Sequence, residues 1–532
     1  MSSALSQSPI YMSFVANATE FPPEEYYDYI IVGGGTSGCP LAATLSVNHR
    51  VLLLERGGVP YTNPNVMRQE GFIATLRKAD SFYSPAQSFT SEEGVPNARG
   101  RILGGSSAIN AGFYSRADEE FYNRSGINWD HLVVERSYKW IESAIVFEPE
   151  LQPLQSALRD GLLESGVGPF NGFTVRHTLG TKIGGSTFNS SGYRHSAADL
   201  LNLANPNNIK VAVYATVERI LFSTSDPFGS KKNAIGVVFC DDAGYYHSAR
   251  LREYGEVIVS AGAIGSPHLL LLSGIGPRTY LSSWGIPVVH HSPFVGQFLY
   301  DNPRNGISFV SPMLLQNSLI QVVGITNSGA YLEASSDVVP YSNHVHSSLM
   351  SRSSSSLYFS VAGIMEKVIG PVSAGSLGLA STDITVNPAV RFNYFSNQVD
   401  LQRCVNGTRK IGELLRSRAM SIFRFWGWSG AEFRFVGSVL PENQSSDEEM
   451  GEFCRATVNT LWHYHGGCLV GRVVDSNLKV IGVGSLRVID GSTFSFSPGT
   501  NPQATVLMLG RHMGVKILRE RLRLAQGRHF IS

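Results

Sequence analysis

A chain of 532 residues is too long for one compact core, so two or more domains are expected. Lys and Arg number 43 against 42 Asp and Glu, and 43% of residues are hydrophobic, which describes an ordinary globular protein with no charge excess to hold nucleic acid or an anionic membrane. No apolar run approaches the roughly 18 residues needed to span a bilayer.

Residues 1 to 26 read as a leader arm, polar and mixed, with no basic start followed by an apolar core. That implies either no secretory signal or a mature form. Pro22 and Pro23 discourage a helix before the first strand. Tyr29 to Val32 are β-prone and run into Gly33-Gly34-Gly35-Thr36-Ser37-Gly38, a helix pattern with Leu41, Ala42 and Leu45, and a second strand from Arg50 to Leu54. Glu55 closes this unit about 20 residues after Gly33, completing a dinucleotide-binding fingerprint. Gly33 permits the tight turn, Gly35 lets backbone approach a pyrophosphate, and Gly38 lets the helix lie close on the sheet. Glu55 suits two ribose hydroxyls and would repel a 2′-phosphate, which disfavours NADP. In a chain with 54 glycines such a spacing arises readily by chance, so the flanking strands and Glu55 carry the inference.

The next forty or so residues look irregular. A second glycine cluster, Ala98 to Gly112, holds Arg99, Arg101, Gly104, Gly105, Ser106 and Ser107, and suits either a loop against a cofactor or a packed turn. Residues 119 to 166 have a helical pattern; 207 to 217, 233 to 239 and 256 to 260 read as strands. Ala261 to Pro267 reads as a small-residue turn, followed by an apolar helix that ends at Ser273 to Pro277. Residues 303 to 400 alternate short β-like runs with Ser-rich loops, and Ser353 to Ser356 is a low-complexity surface loop. Residues 400 to 417 and 446 to 459 look helical, and the tail reads as strand, loop and helix. No internal repeat is visible. The opening unit is too short to be a whole nucleotide fold, which implies interleaved domains.

Two stretches could carry chemistry. Trp462-His463-Tyr464-His465-Gly466-Gly467-Cys468 sets two histidines two apart, open to a base site, a metal pair or simple packing. No carboxylate or third histidine lies near in sequence, so a metal is disfavoured. In Ser497-Pro498-Gly499-Thr500-Asn501-Pro502-Gln503, Asn501 is held away from the helical region by Pro502; it could present its amide or merely cap a helix. The five cysteines show no metal spacing, and sequons at Asn17, Asn123, Asn189, Asn406 and Asn443 weigh mildly toward secretion.

Together these stretches resemble the glucose–methanol–choline (GMC) family of flavin oxidoreductases over nearly the whole chain. Gly33 to Gly38 with Glu55 resembles the family's FAD-binding unit, and Arg101 to Asn110 its flavin-side signature. Gly262 through Gly276 matches a second signature, including Ser266, Pro267, Ser273 and Gly274. His463 with Gly466 resembles the active-site histidine element, while Asp490-Gly491-Ser492 and Asn501-Pro502-Gln503 resemble C-terminal flavin-contacting loops. Ile109 to Asp118, Trp462 to Val470 and Ser497 to Gln503 are most similar to plant HOTHEAD-like proteins and the related mandelonitrile lyases.

The resemblance implies an α/β fold: a Rossmann-like FAD-binding domain (27–118, 190–302, 470–525) interleaved with a substrate domain (119–189, 303–469) built on a mostly antiparallel sheet with helices. It implies FAD held by Gly33, Gly35, Thr36, Ser37, Gly38, Glu55, Arg56, Arg101, Gly105, Ser106, Asn110, Val217, Asp490, Gly491, Asn501, Pro502 and Gln503. His463 and Asn501 become the catalytic pair, with Trp462 against the substrate. The expected reaction is oxidation of an alcohol to an aldehyde or ketone, with His463 as base, Asn501 orienting the oxygen, and hydride passing to flavin N5. Cyanohydrin cleavage, with FAD a bystander, is the alternative. It is weakened because the lyases carry a second histidine where this chain has Asn501, and a tyrosine where it has Leu461. Cys404 and Cys454 fall where the lyases have a disulfide, implying an oxidised pair in a secreted or secretory-pathway protein. A small alcohol or cyanohydrin is the expected partner, a monomer is favoured, and nucleic acid, a membrane span and a metal are not expected.

Overall fold

In a computed structural model of the protein, which describes residues 8–77, 83–223, 232–340, 358–428 and 430–529, the glycine turn follows a strand as expected. The serine run Ser353 to Ser356 lies outside the described residues. The strand Glu24–Val32 begins earlier than its β-prone core, and Tyr29 to Val32 are buried on both faces. That explains their continuous apolar run, which is what a central parallel strand requires.

Among the described residues this strand sits inside an eight-stranded sheet. Val15–Asn17, Ile209–Val213, Val51–Leu54, Glu24–Val32 and Tyr246–Val259 run parallel in that order, and Leu486–Val488 also pairs in parallel with Tyr246–Val259. Ala234–Cys240 and Thr216–Phe222 continue it antiparallel. Val32 is in register with Leu54 and Val259, and Val259 with Val488, so the carboxyl ends of strands far apart in sequence open at one level. Ligands bind at such ends in open α/β sheets.

Three expectations differ from the structure. The leader is not a free arm: a 3₁₀ turn at Ile10–Phe14 buries Tyr11, and Val15–Asn17 forms the sheet edge. Pro22 and Pro23 discouraged a long helix, but a short edge strand ahead of them carries too weak a pattern to read. The supposedly irregular stretch after Gly57 contains the helices Pro64–Met67 and Phe72–Arg77 and the hairpin of Ala86–Thr90 with Pro96–Gly100. The helix expected after the turn at 261–267 starts within it, at Gly262–Leu272, since the N-terminal turn tolerates small residues.

The helix Gly38–Leu45 is wholly buried between this sheet and the C-terminal helix Gln503–His529. A Cβ at Gly38 would lie 2.0 Å from the Gly33 carbonyl oxygen, so only glycine lets the helix start so close to the turn; Gly33 itself has φ +104°.

A second, mostly antiparallel sheet runs in the order Arg434–Val436, Pro303–Ser311, Tyr358–Val368, Ala330–Pro340, Val322–Ile325, Gly180–Ile183, Phe170–Phe173. Side chains alternate between its faces. Ile307, Leu332, Ala334, Ala362 and Ile364 pack under the helices Pro153–Glu164 and Gln398–Arg416. Arg304 and Tyr331 stand opposite Lys367 in the neighbouring strands, so these three share the other face with Glu333 and Met365. That face turns toward the glycine turn.

Candidate active site

A cavity of about 420 Å³ lies between the carboxyl ends of the first sheet and the polar face of the second. It is lined by Gly33, Gly35, Thr36, Ser37, Glu55, Arg56, Arg101, Gly105, Ser106, Asn110, Val217, Trp462, His463, Asp490, Gly491, Asn501, Pro502 and Gln503. Of the site residues expected from sequence, only Gly38 stands behind the wall, where its contact with Gly33 accounts for it.

At the glycine end, the Glu55 carboxylate accepts hydrogen bonds from the backbone N–H of Gly34 (3.0 Å) and Gly57 (2.8 Å). Each oxygen retains a lone pair for a ribose hydroxyl. Burial lifts Glu55 to about 6, opposed by these backbone donors and by Arg56. Ser37, at the N-cap of the helix Gly38–Leu45, has a buried hydroxyl without a partner. An orphaned hydroxyl beside free N–H groups is a ready phosphate donor. Arg56, Arg99 and Arg101 also reach this end; burial lowers Arg56 to about 10 and Arg99 to about 9. Asp490 lines the wall with its carboxylate engaged by protein donors: the N–H of Gly262 (2.9 Å) and Ser492 (2.8 Å), and the Ser266 hydroxyl. It braces the start of the helix Gly262–Leu272. Asn110 donates to Gln503 Oε1 at 2.7 Å, tying these two loops together.

At the other end, His463 sits on a loop clamped on both sides. Asn459–Thr460 pairs with Pro303 and Arg304, and His465–Gly466 with Leu299 and Tyr300. Between these pairings lies Asp301, fully buried, which accepts from the His463 N–H (2.9 Å), the Thr460 hydroxyl (2.7 Å) and the Tyr394 hydroxyl (2.6 Å). Trp462 takes φ +60°, a strained turn that faces its ring to Arg304. His465 is engaged: its Nδ1 lies 3.0 Å from the His463 carbonyl and its ring stacks on Tyr300. The two histidines therefore do different jobs.

His463 Nδ1 is buried without a hydrogen-bond partner. Burial, then the charges of Lys367, His465 and Arg304, holds its pKa well below the usual 6.5, so the ring is neutral. A neutral imidazole keeps one nitrogen as a proton acceptor. Asn501 shares this cavity, and its Oδ1 accepts from Lys367 Nζ at 2.7 Å. Lys367 also pairs with Glu333 (3.1 Å) and lies 3.7 Å over the Tyr331 ring, whose hydroxyl is 3.0 Å from that of Thr500.

Sequence reasoning missed Asp301, Arg304, Glu333 and Lys367. The available signal was a charged pair, Glu366-Lys367, inside an otherwise apolar β pattern. The aromatics Phe423, Phe425, Trp426 and Trp428 do not line the cavity: Phe423 is core, and Trp426 and Trp428 are exposed on a hairpin. Cys404 and Cys454 are bridged, joining the helices Gln398–Arg416 and Asp447–Thr457.

Residues 27–304 and 371–510 match the N- and C-terminal family models described as GMC oxidoreductase. The chain is 64% identical, over 98% of its length and 94% of the other protein, to an (R)-mandelonitrile lyase-like protein of Arabidopsis thaliana. It is 50% identical to the Sinalpyl alcohol oxidase Nec3 of Nesocodon mauritianus, over 96% of this chain and 92% of that one. The fold is shared with a formate oxidase of Aspergillus oryzae studied for modification of its FAD, with TM-score 0.77 and 22% identity over 95% of this chain and 100% of that one. The donors at the glycine end fit such a cofactor: a buried carboxylate for ribose, and an orphaned hydroxyl with arginines for phosphate. The chain belongs to the GMC oxidoreductase family, and its cofactor is FAD.

Proposed function

We propose that the protein oxidises an alcohol carrying an apolar or aromatic group to the aldehyde or ketone. One observation carries this reading: a neutral imidazole and an amide whose oxygen is already taken by Lys367 share one cavity. His463 takes the hydroxyl proton, while the Asn501 N–H donates to the same oxygen and holds the carbon in place. FAD, when bound, supplies the hydride acceptor. Phe72, Ile73, Leu76, Leu319, Ile320, Met365 and Leu461 line the same cavity, which suits an apolar substituent. The 50% identity to an alcohol oxidase supports the reading.

General base catalysis contributes about 10²–10⁴-fold. His463→Ala should therefore retain FAD and slow anaerobic flavin bleaching by benzylic, terpenoid or fatty alcohols by about that factor. Unchanged bleaching would remove His463 from the role.

A second reading, cyanohydrin cleavage or formation, draws on a different observation. From sequence, Asn501 offers a dipole but no charge for a cyanide leaving group. Lys367 and Arg304 bring two cations to that end of the cavity, and the 64% identity to a lyase-like protein points the same way. Turnover of mandelonitrile without bleaching would favour it. We also infer passage through the secretory pathway, supported by the Cys404–Cys454 bridge and the exposed sequon residues Asn123 and Asn443.

A further inference from the structure

We propose that Lys367 is a positioning residue that locks the Asn501 amide, so that only its N–H group faces the substrate oxygen. The inference rests on the catalytic pair proposed above. An unconstrained asparagine amide can present either its oxygen or its NH₂ to a ligand, since the two are nearly equal in shape. The wrong orientation would set an acceptor against the substrate oxygen and compete with His463 for the hydroxyl proton. An ammonium can only donate. With Lys367 Nζ 2.7 Å from Oδ1, turning the amide over would bring NH₂ against NH₃⁺, so the oxygen stays outward and the N–H faces the cavity.

The lysine is itself fixed. Its side chain is 2% exposed and its partner Glu333 1%, with a 3.1 Å contact between them. The Tyr331 ring lies 3.7 Å beneath the ammonium, and the Tyr331 hydroxyl reaches Thr500, the residue before Asn501. Register explains the assembly: Tyr331 pairs with Lys367, and Glu333 stands two residues further on the same face. One sheet face thus carries a cation, its counter-charge and a hydroxyl brace to the loop that bears Asn501. A buried ion pair of this kind contributes little to stability compared with apolar packing, so its presence here calls for another role.

Charge and hydrogen bonding can be separated by substitution. Removing Lys367 alone would strand the Glu333 carboxylate, so both variants carry Glu333→Gln. Lys367→Met with Glu333→Gln removes the donor to the Asn501 oxygen; the same pair made on Asn501→Ala removes the charge where there is no amide to orient. The probe is benzaldehyde, whose carbonyl oxygen only accepts, titrated into each oxidised, FAD-loaded protein and followed by the flavin difference spectrum. The Met variant should bind about tenfold more weakly than wild type, and on the Asn501→Ala background the same two substitutions should change binding by less than about threefold. An equal loss on both backgrounds would show that charge alone matters and overturn the lock, as would unchanged binding in the Met variant. Anaerobic bleaching by benzyl alcohol in wild type reports separately on the oxidation reading. Benzaldehyde binding without bleaching leaves the lock testable and sinks oxidation; bleaching without benzaldehyde binding by wild type sinks the lock; neither response overturns both.

Discussion

His463 is held neutral by its surroundings, and this has a kinetic consequence. Burial and the nearby Lys367, His465 and Arg304 all disfavour the protonated ring, lowering its pKa well below 6.5. The sign follows: the neutral base persists as pH falls through 6.5, where an ordinary imidazole is already half protonated. The anaerobic flavin-reduction rate should stay level through that pH and decline only below it. An acid limb centred at 6.5 or higher in the pH–rate profile would contradict this. His463 and Asn501 were legible in sequence because each sits in a short contiguous stretch with neighbouring glycine or proline. Lys367 and Glu333 were not, because their meaning comes from strand register, which pairs residues that no local pattern connects.

The same division holds for elements. The unit from Glu24–Val32 through Val51–Leu54 was readable because apolar periodicity and a glycine turn coincide within it. The arm forming Val15–Asn17 was missed because a short edge strand gains its order from the sheet beside it, and the hairpin after Gly57 because its two strands pair, among the described residues, only with each other amid Pro, Ser and Asn. The bridge between Cys404 and Cys454 came from resemblance rather than from spacing, and it ties two helices beneath the second sheet. Closing a loop of 50 residues is worth about 4 kcal/mol in the chain-entropy picture, and loss of such a bridge typically costs about 2–5 kcal/mol. Cys404→Ala with Cys454→Ala should lower the Tm of the holoprotein by several degrees in thermal denaturation. An unchanged Tm would show that packing alone holds the helices.

At the scale of the molecule, two sheets meet at one cavity, the first contributing the carboxyl ends of its strands and the second a polar face. The opening unit is too short to complete a nucleotide fold, and parallel strands from residues 209–213, 246–259 and 486–488 join it in one sheet. The reacting end was less legible, since strands with charged residues on one face resemble solvated surface. The central claim is that His463 and Asn501 poise an alcohol for loss of a carbinol hydrogen. The most direct measurement is the anaerobic rate of flavin bleaching with benzyl alcohol and its α-deuterated form. Bleaching that is distinctly slower with the deuterated alcohol is the expected result. Mandelonitrile turnover with no bleaching by either alcohol would contradict it.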